Sequence, residues 1–89
     1  MSDTQLLTAP EVPYAAPRLS SPHEHLVRAS AHLWRVLDDR GRVLGHLRIL
    51  ADPLGLRYRA ERLHLPTGTF RLVGDFWRAD DAVAALRNG

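Results

Sequence analysis

The chain predicts an α+β domain: a three- to four-stranded antiparallel β-meander packed against one C-terminal helix, with a flexible N-terminal tail. Three observations lead there. From His32 to about Val73, apolar and polar residues alternate at period two, as half-buried strands require. Clusters of Asp, Pro and Gly interrupt that alternation at short intervals. From Ala79 the spacing turns helical, with Ala82, Val83 and Leu86 on one stripe.

Residues 1–21 read as the tail, because Pro10, Pro13 and Pro17 break every ladder and the apolar residues between them keep no period. A short helix is expected over 22–30. Ser21 and Glu24 have capping-box spacing, and Pro22 falls at the first helical position, where its missing N–H costs nothing. The domain proper spans 31–89. It opens with a strand at His32–Leu37 and a turn at Asp38-Asp39-Arg40-Gly41, followed by a strand at Arg42–Leu50 and a turn at Asp52-Pro53-Leu54-Gly55. A third strand, Leu56–Leu63, precedes the turn Pro66-Thr67-Gly68, and Thr69–Val73 makes a short fourth strand. The helix Ala79–Arg87 begins with Asp80 and Asp81 at the positive end of its dipole, and Asn88-Gly89 ends it.

A bare sheet of this size is unstable, so the helix must cover one face. Alternation assigns Trp34, Val36, Val43, Leu47, Ile49, Tyr58 and Ala60 to that face, with Phe76 and Trp77 at the helix entry. Gly45 shares the face and is expected to let the helix approach closely. Most of the aromatics Trp34, Trp77, Phe70, Phe76 and Tyr58 are expected in the core, where each buries ~150–250 Å². The alternative is stacking on single-stranded bases.

Composition narrows the function. At 89 residues and 10.0 kDa the chain holds one small domain, and without cysteine it has no disulfide, thiolate or iron–sulfur chemistry. No apolar run approaches the ~18 residues of a membrane span and none reads as a signal core, so a cytoplasmic protein without membrane contact is expected. No glycine-rich phosphate loop occurs, and no serine–histidine pattern marks a nucleophile. Asp38-Asp39 and Asp80-Asp81 are explained by a turn and a helix start. His23, Glu24 and His25 form a metal-like fragment, but no full ligand set accompanies them. The expectation is therefore no enzyme, no metal and no cofactor.

Charge carries the remaining information. All 12 basic residues are arginine, a bias that fits a GC-rich genome as readily as a binding function. The excess lies in residues 33–63, with seven arginines against four acids. Alternation places Arg35, Arg42, Arg48, Arg57 and Arg59 on the sheet face opposite the helix, together with His46, Glu61, Leu33, Leu37 and Leu44. Such a face suits duplex DNA, with guanidiniums on phosphates or on guanine edges in the major groove. The bland alternative is a solvated sheet face.

The segments Trp34-Arg35-Val36-Leu37-Asp38 … Gly41-Arg42-Val43-Leu44-Gly45 and Phe70-Arg71 … Gly74-Asp75-Phe76-Trp77 … Asp80-Asp81-Ala82-Val83-Ala84-Ala85-Leu86 resemble the sheet-plus-helix DNA-binding domains of the AP2-like and integrase arm-binding kind. The W-R-V-L-D and F-W-x-x-D-D-A motifs are also similar to those of short actinobacterial proteins. The first resemblance covers roughly 32–88 and implies a three-stranded sheet inserted in the major groove, read by Arg35, Arg42, Arg48, Arg57 and Arg59. The segment 69–73 departs from it as an extra strand. Together these features predict a small non-catalytic module binding duplex DNA through its arginine-rich face. The alternative is a protein-interaction module or homodimer that uses the open face, a sheet edge or the tail.

Overall fold

In the computed structural model, which describes residues 13–88, five strands follow in chain order and one helix ends the chain. They are β1 (His25–Ser30), β2 (Leu33–Leu37), β3 (Val43–Asp52), β4 (Gly55–His64), β5 (Thr69–Phe76) and α1 (Ala79–Asn88). Every strand pairs antiparallel with its chain neighbour, giving one sheet in the order β1-β2-β3-β4-β5. The meander and helix follow the alternation, with five strands in place of three or four.

Turn chemistry sets the hairpins. One Asp38 carboxylate oxygen accepts the backbone N–H groups of Arg40 and Arg42, both at 2.9 Å, while Gly41 supplies a φ of 80°. Asp52 accepts from the Leu54 N–H at 2.9 Å in the next turn. The helix packs Ala79, Ala82, Val83 and Leu86 onto Val36, Leu47 and Ala60 of the sheet. Its C-terminal end is held from β4, where Arg62 donates to the Ala85 carbonyl at 2.6 Å.

Residues 22–30 form no helix. Two turns alone are marginal, whereas β1 gains a ladder against β2, from His25 opposite Leu37 to Ser30 opposite Leu33, interrupted only by a bulge at Ala29. Glu24, instead of capping Ser21, turns inward and accepts two bonds from Arg87, at 3.0 and 2.9 Å. Residues 1–12 of the expected tail lie outside the described residues. Residues 13–21 run across the helix side of the sheet, where the Tyr14 N–H donates to Ala31 at 3.2 Å and Leu19 joins the core. The Ser20 N–H and hydroxyl both donate to the Asp80 carboxylate at 2.8 Å. Residues 13–24 thus form a strap, with Ser20 on the first turn of α1 and Glu24 on its last.

Bulges redistribute the faces. Val36 pairs with Gly45 but Leu37 pairs with Val43, so Leu44 is the extra residue, and it packs against the core cluster. Val43 and Leu44 thus exchange the faces that strict alternation assigns them. In β5, Gly74 pairs with Ala60 and Leu72 with Glu61, leaving Val73 as the extra residue. Phe70 and Leu72 are thereby rotated from the helix side to the open side. Gly45 answers to its own sheet and not to the helix, since a Cβ there would lie 2.0 Å from the Glu61 carbonyl oxygen of β4.

Candidate nucleic-acid interface

Two cross-strand rows organise the open face. The first runs Val27–Arg35–His46–Glu61–Leu72 across all five strands. The second runs Leu33–Arg48–Arg59–Asp75 from β2 to β5. The register therefore sets arginines beside acids that stand far away in sequence.

Arg59 makes a two-pronged contact with Asp75, from Nε at 2.8 Å and Nη2 at 3.0 Å. These bonds hold the Asp75 carboxyl below the usual carboxylate range and raise the Arg59 pKa. Arg57 lies over the Trp77 ring with 4.6 Å to the centroid, and reaches Asp52 at 3.9 Å. Arg48 is 3.6 Å from Glu61, with its side chain 40% exposed. His46 lies 3.8 Å from the same carboxylate. Burial lowers the His46 pKa against the opposing pull of Glu61, which favours the uncharged ring. That ring stacks on Phe70, centroids 3.7 Å apart and planes 10° from parallel.

Four of the five predicted arginines, Arg35, Arg48, Arg57 and Arg59, therefore share the open face. Arg42 does not. It sits in the turn before β3, lining a hollow beside the end of α1 with Leu44, Arg62 and Leu86. Arg35 is exposed and makes no ion pair among the described residues. Arg59 is committed to Asp75 and Arg57 packs on Trp77 within 3.9 Å of Asp52, whereas Arg48, though 3.6 Å from Glu61, is the most exposed of the three. Trp77, expected to help cover the core at the helix entry, is 50% exposed, and Phe70 is 38% exposed. A two-residue period carries no mark of the Val73 bulge that turns Phe70 outward.

Among the described residues, no three of His, Cys, Asp and Glu come together as metal ligands, and Glu24 of the histidine fragment is occupied by Arg87. No described helix is long and apolar enough to cross a membrane. Fold and face together define an open-faced, five-stranded antiparallel meander backed by a single helix. No protein-family model matches the chain, and neither a curated protein nor a solved structure does.

Proposed function

We propose that the domain is a non-catalytic nucleic-acid-binding module that presents the open face of its sheet. One observation carries the reading: the outward guanidiniums of Arg35 and Arg48 share that face with the exposed rings of Phe70 and Trp77. Guanidiniums meet phosphates while aromatic rings meet bases, so the pair of chemistries suits this ligand better than either does alone. Arg57 and Arg59 stiffen the surface, being held by acids of their own.

With two outward arginines the electrostatic contribution is modest. Each phosphate contact adds about 0.7–0.9 to the slope of log K against log salt, so a total of about 1.4–1.8 is expected. Titrating labelled oligonucleotides at low and physiological salt tests this. The double substitution Arg35→Ala, Arg48→Ala should weaken binding and flatten the slope while leaving thermal unfolding almost unchanged. Absence of binding to any nucleic acid at low salt refutes the proposal.

A second reading, docking of a protein surface, has its own support. Val27 and Leu72, at the two ends of the central row, are 46% and 63% exposed. Under it, Val27→Asp and Leu72→Asp should abolish a partner complex, or a homodimer where light scattering detects one, and leave nucleic-acid affinity alone.

A further inference from the structure

Resting on the nucleic-acid reading, we infer that the ligand of this face is single-stranded and not duplex, held by base stacking on Phe70 and Trp77. The first argument is width. Five strands ~4.8 Å apart make a surface about 19 Å across, whereas the major groove is about 12 Å wide and admits a helix or a two-stranded ribbon. The three-stranded insertion that the sequence resemblance implies has no room for β1 and β5.

The second argument concerns the part that is narrow enough. The β3–β4 hairpin runs on past the pairing of Leu33 with Arg48 and of Tyr58 with Phe76, as a two-stranded ribbon ending at Asp52 and Gly55. Its tip carries Pro53, Leu54 and Leu56, with Leu54 85% exposed. The single arginine of the ribbon, Arg57, is held by Asp52 on the ribbon itself. An apolar tip with an internally paired arginine is poorly made to enter a groove lined by phosphates.

The third argument is the aromatic pair. Phe70 reaches the open face only because of the Val73 bulge, and bulges re-aim side chains in this way. One side of its ring is covered by His46, so a base laid on the other side would extend an existing stack. Trp77 is covered on one side by Arg57 in the same manner. The two platforms stand about 20 Å apart along β5, with Asp75 and its partner Arg59 between them. That is the reach of several splayed bases, which a paired duplex does not offer.

The chain carries its own reporter, since Trp34 is 1% exposed and Trp77 is 50% exposed. The full chain is titrated with oligo(dT), oligo(rU) and a duplex of equal length while tryptophan emission is followed. Single strands should quench Trp77 and bind at least about tenfold more tightly than duplex. The tighter of the two single strands then distinguishes DNA from RNA as the source. Phe70→Leu and Trp77→Leu keep apolar bulk but remove the stacking plane, and each should weaken single-strand binding by about five- to a hundredfold. Unchanged Trp34 emission and thermal unfolding in Phe70→Leu show that the fold is intact. Duplex binding as tight as single-strand binding overturns this inference and leaves the nucleic-acid reading standing. Unaltered affinity in both leucine variants overturns the stacking platform, and no binding to any of the three probes overturns both readings.

Discussion

Substituting alanine at Gly45 should damage this domain more than any other single methyl group. A Cβ built there lies 2.0 Å from the Glu61 carbonyl oxygen, 3.0 Å from its carbonyl carbon and 3.1 Å from Arg62 Cα. To clear even 3.0 Å, the strands must part by about an ångström, and the obstacle is backbone that has no rotamer to escape into. The residue lies beside the Leu44 bulge and one step from Leu47, which with Ala60 is fully buried beneath α1. Overpacking ordinarily costs ~1–3 kcal/mol, and a backbone obstacle places this one at about 3–5 kcal/mol. For 89 residues the total stability is of order 4–13 kcal/mol, so Gly45→Ala should lower Tm by at least ~12 °C or leave the chain largely unfolded. Gly74→Ala is the matched control, because its nearest atoms belong to the Phe76 side chain at 3.4 Å, and its cost should stay below ~1 kcal/mol. Urea unfolding followed by circular dichroism and Trp34 emission measures both. A Gly45→Ala protein within ~1 kcal/mol of the wild type would refute the close approach of β3 to β4.

Three further substitutions test the strap and the bulge. Arg87→Ala strands the Glu24 carboxylate, whose side chain is 4% exposed, and should cost about 2 kcal/mol at neutral pH. The Arg87 bonds hold the Glu24 pKa below its ordinary 4.5, so their contribution is complete above that value and is lost as pH falls through the lowered one. The stability gap between variant and wild type should therefore close in acid, and a gap independent of pH would count against the pairing. Leu44→Asp, facing the core, should cost about 2–3 kcal/mol, and Val43→Asp less than ~1 kcal/mol; the reverse order in chemical denaturation would place the bulge elsewhere.

The parts of the fold legible in the sequence are those determined locally. Asp38 with Gly41, Asp52 with Gly55 and Pro66 with Gly68 fix their turns through bonds and backbone angles spanning a few residues. The helix, with its acids first and Arg87 last, is equally local. What escaped depends on distance. Ser21, Pro22 and Glu24 imitate a helix start, but the Glu24 partner lies 63 residues away. Bulges at Leu44 and Val73 invert the alternation beyond them, so Val43 and Leu44 take the faces opposite to expectation and Phe70 turns to the open side. The same limit applies at the site. An arginine-rich face is visible in the alternation, whereas its compensation by Asp75 and Glu61 requires the register of β3, β4 and β5.

That compensation makes a final prediction about selectivity. A surface with several free guanidiniums would hold any polyanion, and its affinity would follow salt more than ligand shape. Here Asp75 takes two donors of Arg59, which on the proposed single-strand reading leaves the stacking rings a larger share of the binding energy. Asp75→Asn preserves the shape of the side chain while weakening that hold, and raises the formal net charge from +2 by one unit. Because the pair is part-exposed, the cost in stability should be no more than about 1 kcal/mol. Binding should become stronger and less selective, with the salt slope steeper by about 0.7–0.9 and the preference for single strands over duplex reduced. If Asp75→Asn instead weakens every form of binding, Arg59 contacts the ligand in the geometry Asp75 imposes, and the acid positions a reader instead of restraining a charge.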